Sequence, residues 1–454
     1  MSAKKAKAKA PGRGKRAKPK KRPRPKKRSL PLSPEYNILL TATLCLLALG
    51  AVMVFSASST TRILQDGGLS DSAFYLKRTL LFGAVGLAIM WFASRHGLRV
   101  IRELTPLLLG GSIFLLLAVL VAGTEVNGAT RWIGGGFLQI QPSELTKVAL
   151  ILYGADLLAR KPKRVRSLEG MMPFLLVVGA SCVLIMAQPD MGTTMVICFS
   201  VAATLVAAGA RPADLGKIAL VIGVLALLMA VVEPYRMARL TSFLHPTADA
   251  SGAGFQAAQA KIALGSGGLF GDGLGNGVQK AFYLPEAHTD MITAVIGEEL
   301  GFAGIAGVVG LFAMFGYAGL KTAQKAKDAY AKILVTGLTS LVLVQATINL
   351  FAVMGMAPLT GVPLPFVSYG NSSLMATLLA VGLILNVARG GSAKAARAST
   401  PTRAGKLRAI EGGRSPARER KRAQGARKAK GSGGGGGNRG ARRARHGGRR
   451  RASG

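Results

Sequence analysis

Long apolar stretches recur between residues 36 and 388, and short polar segments separate them. A helix needs roughly 20 apolar residues to cross a bilayer, or fewer where other helices surround it. We therefore expect an all-α polytopic membrane protein, with a large outer-face segment between helices 7 and 8. The pattern predicts ten transmembrane helices, over residues 37–57, 79–96, 105–123, 143–159, 171–188, 191–209, 214–232, 291–320, 332–355 and 366–388.

Polar residues and prolines interrupt this pattern at two places. The fourth stretch contains Glu144, Lys147 and Asp156, so its apolar signal is the weakest of the ten. The last two helices come from one uncharged stretch, residues 333–388. Prolines within residues 356–373 divide that stretch, because proline ends or kinks a helix. The sequence therefore predicts a loop between helices 9 and 10.

Charge is concentrated at the two ends of the chain. The whole sequence has a net charge of +39, of which residues 1–35 carry +14 and residues 389–454 carry +19. Both ends are low in apolar residues and rich in Lys, Arg, Ala, Gly or Pro, which is typical of disordered tails. We expect them to determine topology and to attract anionic lipid. Nucleic-acid binding, which we do not expect here, and protein docking are the alternative roles.

Basic residues also predict the orientation of the core, residues 36–388. If the N-terminal tail is cytoplasmic, the Lys/Arg clusters between helices fall on the cytoplasmic side, as in most membrane proteins. These clusters are residues 95–103, 160–166, 209–217 and 321–332. Ten helices also return the C-terminal tail to the cytoplasm. The basic start followed by an apolar stretch indicates a signal anchor, and the three cysteines lie inside apolar stretches without a CxxC pattern.

The most informative polar segment is residues 284–301, at the entrance to the eighth predicted helix. It contains Asp290 and Glu298, which the spacing i, i+8 would place on one helix face. Charged side chains at membrane depth are costly and usually mark a functional site. A carboxylate at a water–membrane boundary suits a general base, because desolvation raises its pKa. The alternative is an ordinary helix start, with Thr289 or Asp290 as the N-cap.

Three further groups of polar residues are candidates for chemistry. Glu144 and Lys147 have the spacing of an ion pair within a helix, and Asp190 follows a proline as a helix cap would. Four cations in the outer segment, against the charge rule, suggest an anionic ligand such as a pyrophosphate. They are Arg236, Arg239, Lys261 and Lys280. The glycines of residues 265–277 would allow a ligand to approach closely, although simple loop flexibility explains them equally well. Metal-ligand clusters and nucleophile-elbow motifs are absent from the sequence.

Taken together, six segments resemble the SEDS family (shape, elongation, division and sporulation). They occur in the family's order and cover the core, although the family's usual Tyr-Gly-Gly-Ser-Ser has Asn371 in place of the second glycine. The segments are NGATRWI (127–133), IQPSELTK (140–147), QPDMGTT (188–194), YRMARLTSFLHP (235–246), LPEAHTDMITAVIGEELGF (284–302) and GVPLPFVSYGNSS (361–373).

The resemblance implies a ten-helix peptidoglycan glycosyltransferase that polymerises lipid II on the outer face of the bacterial plasma membrane. The family's essential aspartate corresponds to Asp290, which would be the general base. A cation or a divalent metal ion would stabilise the pyrophosphate leaving group, although no metal-binding residue is predicted. The candidate substrate-binding residues are Arg131, Glu144, Lys147, Arg239, Lys261, Lys280, His288, Glu298 and Ser368.

The resemblance also implies a class B penicillin-binding protein, a transpeptidase, as partner. The long basic tails favour an FtsW-like division protein that works with other divisome proteins. An elongation enzyme of the RodA type and a sporulation protein remain open. Two other classes of function compete with the enzyme. One alternative is a transporter that flips lipid II, although the chain shows no clear internal repeat. The other is a scaffold that recruits division proteins.

Overall fold

In the computed structural model, the structure describes residues 33–65, 73–126, 129–135, 139–232, 243 and 253–390. The helices of this part are α1 (Pro34–Gln65), α2 (Phe74–Arg95), α3 (Leu98–Ala122), α4 (Pro142–Arg160), α5 (Leu168–Met186), α6 (Met191–Ala208), α7 (Pro212–Val232), α8 (Ala253–Ser266), α9 (Gln279–Phe282), α10 (Ile292–Lys325), α11 (Ala329–Val353) and α12 (Asn371–Ala388). An antiparallel hairpin of β1 (Thr124–Val126) and β2 (Ala129–Trp132) follows α3.

The predicted all-α membrane fold is confirmed. In the described part of the chain, eight helices are long and apolar enough to cross a membrane, namely α1, α2, α3, α5, α6, α10, α11 and α12. Helices α4 and α7 occupy the fourth and seventh predicted ranges. The count of ten spans stays a prediction, as does the extent of the outer segment between helices 7 and 8. The predicted tails lie outside the described residues, apart from their innermost residues.

Helix packing places α4, α11 and α12 in the interior of the bundle. Helix α11 packs against α4, α6, α10 and α12, and α12 packs along α2. Small residues permit the closest approach: a Cβ on Gly382 of α12 would lie 2.6 Å from the carbonyl oxygen of Met90 on α2. Close packing at small residues is the usual basis of helix association in membranes. By contrast, Leu107, Phe114 and Val121 of α3 are exposed and face outward.

The predicted start of the last helix was wrong, and the error arises from backbone geometry. The last helix begins at Asn371 rather than at 366, because Phe366 has φ of +67°. A helix cannot continue through that conformation. Helix α10 contains a break at Gly301, where φ is +65° and ψ is −162°. The residues from 354 to 370, between α11 and α12, are hereafter called the proline loop.

Helix α1 touches the proline loop at Gly50. A Cβ at this position would lie 2.4 Å from the carbonyl oxygen of Phe366, which is closer than van der Waals contact allows. We therefore expect Gly50→Ala to lower the free energy of unfolding by about 1–3 kcal/mol, the usual cost of overpacking. The measurement is the thermal unfolding midpoint of the detergent-solubilised protein.

A matched control for Gly50→Ala lies in α3. A Cβ on Gly110 would meet nothing within 4 Å, and alanine favours helix more than glycine does. Gly110→Ala should therefore leave the midpoint unchanged or raise it slightly. Equal midpoints for Gly50→Ala and Gly110→Ala would contradict the close contact between α1 and the proline loop.

Candidate active site

Asp290 lies in a turn before α10 and not on the helix itself. The N-cap of α10 is Met291, and no side chain caps the helix. The predictions that Asp290 shares a helix face with Glu298, or that Thr289 or Asp290 caps the helix, were therefore wrong. The physical reason is the turn: Glu286 has φ of +54°, and the Thr289 hydroxyl donates to the Glu286 carbonyl oxygen at 3.0 Å. Asp290 is half-buried at the end of this turn.

The proline loop holds the Asp290 turn from the other side. The Tyr369 N–H donates to the carbonyl oxygen of His288 at 2.9 Å. The His288 ring lies 4.4 Å from the Tyr75 ring and 5.6 Å from the Tyr369 ring, measured between centroids. A Cβ on Gly361 would come within 3.9 Å of Asp290 Oδ2. His288 therefore contributes packing, and the proline loop borders the Asp290 carboxylate directly.

The start of α6 forms a third side of the site. The Asp190 carboxylate accepts from the Thr193 N–H at 3.0 Å, so the predicted helix cap is confirmed. Its other oxygen accepts from Gln141 Nε2 at 3.1 Å. A Cβ on Gly192 would lie 2.6 Å from the carbonyl oxygen of Thr360 in the proline loop. Glycine is needed here because the start of α6 and the loop backbone lie so close together.

Arg131 on β2 contacts the turn before α6. Its Nε donates to the carbonyl oxygen of Gln188 at 3.1 Å, and its guanidinium also donates to the carbonyl oxygen of Pro189. Two carbonyl oxygens therefore accept hydrogen bonds from a side chain that was a candidate for substrate binding. This arrangement fixes the β1–β2 hairpin against the start of α6.

Glu144 and Lys147 form the expected ion pair, and both side chains are buried. Lys147 Nζ lies 2.9 Å from Glu144 Oε1 and 2.8 Å from Oε1 of Gln345 on α11. Gln345 Nε2 donates in turn to the carbonyl oxygen of Pro363 at 3.0 Å. A buried ion pair is tolerated when further hydrogen bonds satisfy its members. The pair is thereby connected to the proline loop.

Lys280 is not an open cation on the outer face. Its side chain is 1% exposed and pairs with the Glu299 carboxylate. Lys280 Nζ also donates to Ser56 Oγ and to the carbonyl oxygen of Gly275, each at 2.9 Å. Because these partners occupy the ammonium group, the structure does not present it to a ligand. The prediction of Lys280 as a ligand-facing cation was wrong, and the residue instead joins the glycine-rich segment to α1 and α10.

Glu298 is likewise engaged by its surroundings. Its Oε1 accepts from the backbone N–H groups of Val278 and Gln279, at 2.7 Å and 3.0 Å. Negative charge is favoured there because Gln279 begins α9 and its N–H has no partner within the helix. Glu298 thus anchors the glycine-rich segment, and the structure gives it no contact with Asp290.

The remaining candidate residues for substrate binding are Lys261, Ser368 and Arg239, and their surroundings differ. Lys261 on α8 is exposed. Its side chain lies next to Gly355, because a Cβ added at Gly355 would be 2.8 Å from Lys261 Nζ. Ser368 is buried, and its hydroxyl accepts from the Leu364 N–H at 2.8 Å, so it stabilises the proline loop. Arg239 lies outside the described residues, as does Arg236. Lys261 is therefore the described candidate cation that the structure leaves exposed on the outer segment.

The donor groups of the described part do not form a metal site. No three His, Cys, Asp or Glu side chains come together among these residues. The nearby carboxylates of Glu298 and Glu299 accept from backbone N–H groups and from Lys280 instead. The divalent cation that the resemblance implies stays a prediction.

Fold and site together define a multi-pass membrane protein with a positioned carboxylate between helices. A family model described as "Cell cycle protein" (FtsW, RodA, SpoVE) matches residues 37–392. Stage V sporulation protein E of Bacillus subtilis (strain 168) is 42% identical over 363 residues, 79% of this chain and 97% of that protein. "Probable peptidoglycan glycosyltransferase FtsW" of Trichlorobacter lovleyi is 39% identical over 360 residues, 78% and 94%.

Solved structures are also similar to this chain. A chain from "Structural coordination of polymerization and crosslinking by a peptidoglycan synthase complex" superposes with a TM-score of 0.63, at 28% identity, over 77% of this chain and 96% of that chain. The rod shape determining protein RodA of Thermus thermophilus superposes with a TM-score of 0.57, at 28% identity, over 77% and 95%. The chain belongs to the FtsW/RodA/SpoVE family, which is the SEDS family that the sequence motifs indicate.

Proposed function

We propose that Asp290 is the general base of this chain, which is a peptidoglycan glycosyltransferase. The carboxylate takes the proton from the 4-hydroxyl of an acceptor GlcNAc. The oxygen attacks the anomeric carbon of the donor MurNAc and forms the new glycosidic bond. The bond from that carbon to undecaprenyl pyrophosphate breaks, and the pyrophosphate leaves with the electron pair. General-base catalysis of this kind typically contributes about 10²–10⁴-fold.

The observation that carries this proposal is the way in which the Asp290 turn is held. Asp290 is half-buried, its carbonyl oxygen accepts from Asn349 on α11, and the proline loop binds the neighbouring His288, so the carboxylate is both accessible and fixed. The Asp290 carboxylate accepts from the Thr289 hydroxyl at 3.3 Å and stays half-buried, whereas the acids Asp190 and Glu299 are buried. Asp290 is thus the acid of the described site best placed to meet a substrate.

The remaining parts of the reaction follow from charge and topology. Lys261 is exposed on α8 and is our candidate for contact with the pyrophosphate, since a cation lowers the cost of developing negative charge. We place the site on the outer face of the plasma membrane and both termini in the cytoplasm, because the basic loops favour that orientation. The partner is a class B penicillin-binding transpeptidase, which the likeness to a chain of a peptidoglycan synthase complex supports. The role is in division, as the FtsW names of many relatives suggest.

A reconstituted assay tests this function. The purified full chain is combined with its transpeptidase partner and lipid II, and glycan strands are resolved by gel electrophoresis. Polymer is expected from the wild type. If no polymer forms while labelled lipid II crosses the vesicle membrane, the chain is a lipid II transporter and the proposal is wrong.

The basic tails are expected to be dispensable for chemistry. They lie at the ends of the chain, outside the family match of residues 37–392. Deleting residues 1–30 or 395–454 should leave the polymerisation rate within about twofold, because removing these basic residues changes lipid attraction rather than the site. The same reconstituted assay measures the rate. A complete loss of polymer in a properly folded deletion variant would refute a peripheral role for the tails.

A further inference from the structure

Helix α11 contains two buried amide side chains that the proposed chemistry does not use. Gln345 and Asn349 are each 2% exposed and lie one helical turn apart on the same face. We propose that Asn349 is a positioning residue, supported by Thr293, that holds Asp290 in its reacting geometry. This inference rests on the proposed role of Asp290 as the base.

Asn349 joins three segments through one amide group. Its Nδ2 donates to the carbonyl oxygens of Asp290 and Val362, each at 2.8 Å. Its Oδ1 accepts from the Thr293 hydroxyl at 2.6 Å. Both N–H bonds of the amide are thus used, and the oxygen has a partner as well. The Asp290 turn, the proline loop and the first turn of α10 are therefore connected at a single buried point.

The two carbonyl oxygens determine which way the amide faces, and the Thr293 hydroxyl supplies a donor for its oxygen. Thr293 is fully buried, and a hydroxyl in such a place needs a hydrogen-bond partner. Because the carbonyl oxygens of Asp290 and Val362 can only accept, the NH₂ end of Asn349 must face them, and the Thr293 hydroxyl then donates to Oδ1. Turning the amide over would place its oxygen against those carbonyl oxygens and leave buried groups unpaired, which costs about 1–3 kcal/mol per group. The arrangement therefore has one stable orientation.

This orientation fixes both sides of the space around the Asp290 carboxylate. One N–H holds the Asp290 backbone, from which the carboxylate projects. The other holds Val362, the neighbour of Gly361, and a Cβ on Gly361 would lie 3.9 Å from Asp290 Oδ2. Loss of the two Asn349 hydrogen bonds would let the Asp290 turn and the proline loop shift relative to each other. A misplacement of about 1 Å can cost roughly 10²-fold in rate.

Gln345 also binds the proline loop, at Pro363, the residue that follows Val362. Its Nε2 donates to the carbonyl oxygen of Pro363, and its Oε1 accepts from Lys147. Consecutive carbonyl groups of the proline loop are therefore held by amides one turn apart on α11. The loop is a firm support for the Asp290 turn, and Asn349 is the side chain that links the two directly.

Two substitutions at Thr293 separate positioning from packing. Thr293→Val keeps the volume and the β-branched shape but removes the hydroxyl, whereas Thr293→Ser keeps the hydroxyl and loses a methyl group. Positioning predicts that Thr293→Val lowers kcat for lipid II polymerisation by about tenfold with KM within twofold. Thr293→Ser should retain kcat within about twofold. A packing role predicts the opposite order, because serine leaves a cavity and valine does not.

Removal of the amide gives the larger effect. We expect Asn349→Ala to lower kcat by about 10²-fold, and Thr293→Val added to it should cause little further loss, since both act through one contact. The matched control is Asn386→Ala on α12. Asn386 is also buried, and its Nδ2 donates to the carbonyl oxygens of Ala93 and His96, between α12 and the end of α2. It should keep kcat within about threefold.

The outcomes distinguish this inference from the proposed function. If Thr293→Val has wild-type kcat, or if Thr293→Ser is slower than Thr293→Val, Asn349 is not held in place for catalysis and the inference is wrong. The Thr293 pair decides this even if Asn349→Ala does not fold. If Asp290→Asn is fully active, the proposed base fails, whatever the Thr293 variants show.

Discussion

Asp290→Asn is expected to lower the rate of lipid II polymerisation by about 10³-fold, within the range of general-base catalysis. The substitution keeps the shape of the side chain and removes its capacity to accept a proton. The backbone contacts of the turn, from Asn349 to the Asp290 carbonyl oxygen and from Tyr369 to His288, do not involve the carboxylate. The variant should therefore fold, and its unfolding midpoint should match that of the wild type.

The control for this loss is a carboxylate on the β1–β2 hairpin. Glu125 on β1 is exposed, and Glu125→Gln changes the net charge by the same amount as Asp290→Asn. We expect Glu125→Gln to polymerise lipid II at nearly the wild-type rate. Polymer at wild-type levels from Asp290→Asn would rule out the base assignment, and an equal loss in both variants would show that the effect is one of general charge.

The second large effect is expected on stability, at the buried pair of Lys280 and Glu299. Both side chains are at most 1% exposed. Lys280→Met leaves the Glu299 carboxylate buried without its cation, and breaking a buried pair in this way typically costs about 3–5 kcal/mol. The pair joins the glycine-rich segment to α10, and its partner Ser56 lies on α1. We therefore expect a strongly lowered unfolding midpoint in detergent.

A double variant tests the origin of that loss. Lys280→Met combined with Glu299→Gln removes both charges, so it should be more stable than Lys280→Met alone. Arg99→Met is the matched surface control, because Arg99 pairs with Glu103 while 86% of its own side chain is exposed. Exposed pairs contribute little, and its midpoint should not move measurably. A double variant less stable than Lys280→Met would contradict the ion-pair explanation.

The sequence predicted the helices well because the bilayer imposes a simple rule on them. Each spanning helix needs a long apolar run, and such runs are visible without knowledge of the fold. The errors occurred where local geometry overrides the apolar pattern. Phe366 is apolar and continues the run, yet its positive φ belongs to a turn. Pro285, five residues before Asp290, was the signal that a turn precedes α10.

The candidate site was predicted only in part. Asp290 was recognised from the family motif, and Asp190 was recognised as a helix cap from its place after a proline. Lys280 was misassigned because a cation on a predicted outer segment suggests an anionic ligand. The sequence does not show that folding brings its partner Glu299 next to it. Asn349 was missed altogether. Its only signal was the repetition of amide side chains, Gln345 and Asn349, one turn apart on an otherwise apolar helix.

The most direct test of Asp290 as the base is the pH dependence of a single turnover with bound lipid II. A base must be deprotonated to act, so the wild-type rate of bond formation should fall as the pH is lowered, approaching tenfold per pH unit. Asp290→Asn should show only a slow residual rate without that acid limb. The same acid limb at a comparable rate in Asp290→Asn would contradict the assignment of Asp290 as the general base.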